Sequence, residues 1–138
     1  MPEKIFSVSD AWVFTCLYYH QENHSRFDLR LLIGAADMLN HAILLEEEIL
    51  SAFEKLQTTG ILKVRYLKIQ YSELGMEIIE KAKRTRGGLF MRVEITEKKL
   101  NSTRNKFQGG TINKTVMNHI KNGYRTAVDS YCTAHMPK

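Results

Sequence analysis

Between Glu46 and Tyr71 the apolar period changes abruptly, and that change constrains the fold more than any other feature. Ile49, Leu50, Phe53 and Leu56 recur at helical spacing, which turns one face of a Glu46–Thr58 helix toward a core. Glu46, Glu47 and Glu48 stand in its first turn, where carboxylates complement the positive end of the helix dipole. Gly60, free to take positive φ, closes it. Ile61–Tyr71 then offers two short β-prone segments with little between them, which predicts a tight hairpin turning near Arg65. The usual Asn-Gly or Asp-Gly turn signal is missing there.

Two helices precede this unit. Asp10–Asn23 places Val13, Cys16, Leu17 and His20 on one face. Trp12, Phe14, Tyr18 and Tyr19 widen its apolar surface, so it is expected to pack on more than one side. Asp28–Asn40 turns Leu29, Leu32, Ile33, Ala36 and Leu39 inward, with Asp28 as cap and Asn40–His41 as the end. Beyond the hairpin, Ser72 opens a helix to about Arg86, with Leu74, Ile78 and Ile79 facing in. Gly87 and Gly88 interrupt the chain. Leu89, Met91, Val93 and Ile95 alternate with Phe90, Arg92, Glu94 and Thr96, which predicts a strand with one buried face. Glu97–Gly110 reads as polar and partly loop-like, and Thr111–Ala134 as a last helix. The expected fold class is mainly α with a small β-hairpin, residues 1–86 forming one domain and 87–138 a basic extension of strand, loop and long helix, packed on the core or at a dimer interface.

Helix, helix, short turn, helix, glycine, hairpin is the order of a winged helix-turn-helix. The run EEEILSAFEKLQTTGILKV, followed by YSELGMEII, is similar to the recognition helix, wing and Leu-Thr-x-x-Gly run of MarR-like and PadR-like regulators. Tyr71-Ser72-Glu73-Leu74-Gly75 stands for the last element, with Gly75 close against the sheet. DAWVF with AADMLNHAI also resembles a set of bacterial winged-helix proteins. The resemblance spans roughly the first 85 residues. It implies a DNA-binding or transcription-regulating protein, and a homodimer made by terminal helices. Val116, Ile120, Tyr124, Ala127 and Tyr131, an apolar stripe at helical spacing, are the candidate dimerisation residues. The alternative is a winged helix used for protein contact without nucleic acid, because a fold alone does not fix a function.

Charge decides where a nucleic acid would touch. Residues 1–80 hold seven Lys/Arg against twelve Asp/Glu, a net of −5, and residues 81–138 hold thirteen against three, a net of +10. The third helix begins with three carboxylates, and its remaining polar positions, Ser51, Glu54, Lys55 and Gln57, do little to offset them. Direct reading of a phosphate-lined groove by this helix is therefore disfavoured. The candidate nucleic-acid-binding residues are Lys63, Arg65 and Lys68 on the hairpin, and Lys83, Arg84, Arg86, Lys98 and Lys99 in the basic half, interleaved with Phe90 and Phe107. The segment from Lys81 to Lys106 is expected to supply most of the affinity for DNA. Two plainer readings compete: strand-edge lysines that discourage edge pairing, and a basic arm docked on the acidic half of the same or a neighbouring molecule.

Other chemistry finds little support. His20 and His24 have the i, i+4 spacing of helix-borne zinc ligands, without a third ligand in sequence reach. Asp37, Asn40 and His41 read as a capping cluster at a helix end. No phosphate loop, nucleophile elbow or framed carboxylate pair occurs, so neither an enzyme nor a cofactor is expected. Cys16 reads as a buried thiol, and Cys132 lacks metal-ligand spacing to it. Without an apolar run of roughly 20 residues or a signal-peptide pattern, the expectation is a cytoplasmic protein with no membrane partner.

Overall fold

Side-chain caps start four of the helices, at Ser7, Asp28, Ser72 and Asn113. The computed structural model describes residues 5–23, 26–84 and 93–135. Helix α1 spans Val8–Asn23; Ser7 N donates to Asp10 Oδ2 at 2.8 Å and Asp10 N returns a bond to Ser7 Oγ at 3.2 Å, a reciprocal cap. Helix α2 spans Leu29–Asn40; the Asp28 carboxylate accepts from Leu31 N, and His41, at φ 54°, ends the helix by donating its N–H to Asp37 O. Helix α3 covers Glu46–Thr58, and Glu48 Oε1 accepts from Leu45 N at 2.8 Å. Gly60, at φ 77°, turns the chain into strand β1, Leu62–Arg65, which pairs antiparallel with β2, Lys68–Tyr71. Ser72 then caps α4, Glu73–Lys83, accepting from Gly75 N. Gly75 sits where a Cβ would meet the Ile61 carbonyl and Tyr71 Cβ, so the helix starts hard against the sheet.

Helix α1 is the hub. Ala11, Trp12, Val13, Phe14, Cys16 and Leu17 are all buried, because α2, α3 and a later helix pack around it. Burial pushes the Cys16 thiol far above its usual range. Polar atoms inside this core have partners: Trp12 Nε1 donates to Ala36 O at 3.1 Å, and Tyr71 OH to Phe14 O at 2.6 Å.

The second half of the chain differs from the sequence reading in two places. Val93–Ser102 is a helix, α5, not the end of a strand; residues 89–92 of the expected strand lie outside the described residues. Val93, Thr96, Glu97 and Leu100 recur at i, i+3, i+4 and i+7, and the last three are buried. Two of those four are polar, so the helical period is faint and the short alternation before it dominates. A 3₁₀ turn, Arg104–Lys106, follows, and then α6, Lys114–His135. Neither helix is an appendage. Leu100, Val116 and Ile120 join the same core as α1, α2 and α3, and Asn101 clamps the N-terminal segment by accepting from Ile5 N and Phe6 N and donating to Phe6 O.

The α6 stripe expected to make a dimer is used inside the chain. Val116 and Ile120 are fully buried. Tyr124 OH donates to Leu44 O, and Tyr131 OH to Asp37 Oδ2 at 2.7 Å. Ala127 lines a groove with Leu29 of α2. Helix α6 thus lies along α2 and α3 and closes their core. Among the described residues no helix is long and apolar enough to cross a membrane.

Candidate nucleic-acid interface

The hairpin concentrates positive charge through its register. Leu62, Val64, Ile69 and Tyr71 face the protein, which leaves Lys63, Arg65, Lys68 and Gln70 on the outer face. Arg65 and Lys68 are direct cross-strand partners, and Lys63 pairs with Gln70. Arg26 forms an isolated bridge to Lys68, and the neighbouring Phe27 N–H donates to Leu67 O at 2.7 Å. Three cationic residues, Arg26, Arg65 and Lys68, therefore hold adjacent paired positions at the end of the hairpin. Like charges placed directly opposite each other destabilise a sheet. No ion pair joins any of the three to an acid among the described residues.

A ring stands at the tip of this cluster. Tyr66 occupies the first loop position at φ 57°, a left-handed conformation that costs a non-glycine residue about 1 kcal/mol. It is 70% exposed, so burial does not offset that strain. The two-residue loop Tyr66-Leu67 between β1 and β2 demands that positive φ at its first position, and it leaves the ring standing out from the hairpin. Beside the hairpin, Arg30 and Arg26 line a groove between the start of α2 and His119 of α6. Lys63 sits differently, opening on a second groove that also holds Glu73 and Glu77.

Helix α3 offers the opposite character. Its outward row is Glu47, Glu54 and Thr58, with Ser51 half-buried between them. Lys55 is turned aside to the buried Asp10, with Nζ at 2.7 Å from Oδ2. Gln57, expected on the surface, is buried: its Nε2 donates to Phe53 O, and its Oε1 accepts from Asn113 N at 2.7 Å. The far flank of α3 is therefore occupied by α6, and only a narrow acidic row remains.

The basic-half residues are dispersed and partly neutralised. Lys83 approaches Glu80 at 3.8 Å and stands 4.9 Å from the centre of the Tyr18 ring. Arg84 ends α4 in the open, Lys98 is exposed on α5 and Lys99 half-buried there. Arg86 lies outside the described residues. Lys81 and Lys106 converge on Glu77, at 3.0 and 3.1 Å, and their hydrogen bonds hold its carboxyl below the usual range. The structure thus gathers Arg65 and Lys68, keeps Lys63 on the same hairpin face, and leaves the α4 and α5 cations apart from them.

The remaining candidates are structural. His20 Nε2 accepts from Asp28 N at 2.7 Å and its ring stacks near Phe27, so the nitrogen a metal would need helps to fix the α1–α2 turn. His24 lies outside the described residues. Asp37 holds Tyr131 and, through its carbonyl, the His41 cap. Arg26 and Tyr66 are the residues sequence reading missed. Arg26 gave no signal because its bridge to Lys68 is long-range, whereas an aromatic between two cations at a predicted turn did carry one for Tyr66. No family model, no curated protein and no solved structure matches the chain.

Proposed function

We propose that this chain is a winged-helix DNA-binding protein of the regulatory type, and that it grips the duplex through its hairpin wing rather than through α3. The observation that carries the reading is the Arg26, Arg65 and Lys68 cluster beneath the strained, exposed Tyr66. A self-repelling group of cations is relieved by a polyanion, and a duplex presents one phosphate charge per about 1.7 Å of axis. The two guanidinium groups suit phosphate oxygens, and an exposed ring beside them suits sugar or base contact. The acidic outward row of α3, with Glu47 and Glu54, supports the exclusion of that helix from the groove. A double variant, Arg65→Ala with Lys68→Ala, is expected to lose at least tenfold in affinity for unrelated duplexes alike. Unchanged gel-shift affinity in that variant overturns the reading.

One observation favours protein contact as a second reading. Met38 and Leu45, each 52% exposed, flank the α2–α3 turn beside Glu47. A partner there would bind through apolar area, so its affinity would be nearly independent of salt, unlike a phosphate contact.

A further inference from the structure

Opposite its buried stripe, α6 carries a second row. Lys114, Asn118, Lys121 and Arg125 stand at i, i+4, i+7 and i+11, and all four are exposed. At about 100° per residue they fall within roughly 60° of arc, and at about 1.5 Å per residue Lys114 and Arg125 are about 17 Å apart along the axis. The one acid in α6, Asp129, lies beyond Arg125. No ion pair involves these three cations among the described residues.

The row is tied to the hairpin. Asn113 caps α6 by accepting from Val116 N, and its Nδ2 donates to Val64 O of β1 at 3.2 Å. Its backbone N–H is held by Gln57 of α3. Lys114 therefore begins the row at the side of β1, and Tyr124, bonded to Leu44, fixes the helix across the α2–α3 turn. Helix α6 lies over a flank of α3 and shows cations and an amide where α3 shows carboxylates.

We infer that α6 is the helix this protein lays against duplex DNA, an inference that rests on the duplex-binding reading above. Lys114, Lys121 and Arg125 meet phosphates, and Asn118 between them faces base edges. The row is long enough to cross a B-form major groove about 12 Å wide, and an asparagine amide matches the donor and acceptor of adenine there. The deep, narrow major groove of an RNA duplex does not admit a helix, so the occupant is DNA.

The test uses the full chain and a fluorescein-labelled 20-bp duplex, read by anisotropy at low and near-physiological salt. Replacing Lys114, Lys121 and Arg125 together by Ala should weaken binding at least tenfold at low salt. It should also lower the slope of log affinity against log salt by about 2.7, since each phosphate contact supplies about 0.9. Lys121→Gln alone should lower it by about 0.9, which keeps the test decisive should the triple variant unfold. A slope unchanged from wild type in both variants, with affinities within about twofold of it, overturns the inference. If at the same time Arg65→Ala/Lys68→Ala loses binding, the wing reading survives without it. Wild-type protein that ignores the duplex overturns both. Equal affinity for a 20-bp RNA duplex overturns groove docking by α6.

Discussion

Reversing one charge in the hairpin separates a contact surface from a decorative one. Lys68 faces Arg65 directly across the strands, with Arg26 bridged at its own position. Lys68→Glu converts a repelling cross-strand pair into an attracting one. Such pairs contribute roughly 0.2–1 kcal/mol in either direction, and solvent screening at this exposed face keeps the value low in that range. Removing a repulsion and adding an attraction of about 0.5 kcal/mol each gives about 1 kcal/mol of added stability. For a chain of this size that is roughly 3–5 °C in Tm. The same change deletes a phosphate contact and places a carboxylate against the backbone of the duplex, so affinity should fall more than tenfold at low salt. Thermal melts by circular dichroism and anisotropy titration on one preparation read both numbers. The account requires opposite movements, with stability rising and binding falling. A melting temperature that stays level or drops refutes the frustrated cluster. A rise with unchanged binding refutes its use as a DNA contact.

Tyr66→Gly should show the same opposition by another route: relief of the left-handed backbone at φ 57° adds up to about 1 kcal/mol, while loss of the exposed ring weakens binding several-fold. A variant that melts lower and binds as wild type contradicts both halves. Gly75→Ala drives a methyl into the Ile61 carbonyl and the Tyr71 side chain, so the urea midpoint should drop by the equivalent of about 1–3 kcal/mol; an unshifted midpoint means α4 does not start against the sheet. Tyr71 is held above its ordinary value of 10.0 chiefly by burial, Tyr124 by burial and then by Glu47, Glu46 and Glu48, and Tyr131 by its bond to Asp37. Folded values above the unfolded one mean a contribution fully present below about pH 10 and lost as pH climbs through the folded values. Melting temperature should therefore hold from about pH 7 to 9 and fall above about 10. Phenolate absorbance from all six tyrosines in a still-folded protein would contradict the burial of Tyr71.

What the sequence disclosed follows the range over which its signals act. Asp28, Ser72 and Gly60 mark helix ends through bonds and backbone angles within a few residues, and the apolar stripes of α1, α3 and α6 recur at helical spacing, so five helices and the hairpin are legible. Helix α5 is not, because Thr96 and Glu97 fill two of its inward positions. Gln57 reads as surface until Asn113, far along the chain, reaches its amide. The α6 stripe was visible, yet nothing local says whether it meets a second copy or, as here, the chain's own α2 and α3. The site divides in the same way. Lys63, Arg65 and Lys68 follow from the hairpin, while the bridge that brings Arg26 to Lys68 is a tertiary fact. Counting cations likewise overstates the segment from Lys81 to Lys106, where Glu77 and Glu80 take up three of them.

The most direct test is the salt dependence of wild-type binding to a generic duplex, titrated from 50 to 200 mM in salt. Contacts from Arg26, Arg65 and Lys68 alone supply a slope of about −2.7 in log affinity against log salt, and the α6 row adds about as much again. The account predicts saturable binding at low salt, with a slope of about −3 from the hairpin alone and about −5 with the α6 row engaged. Absence of binding at 50 mM, or binding that salt leaves flat, contradicts it.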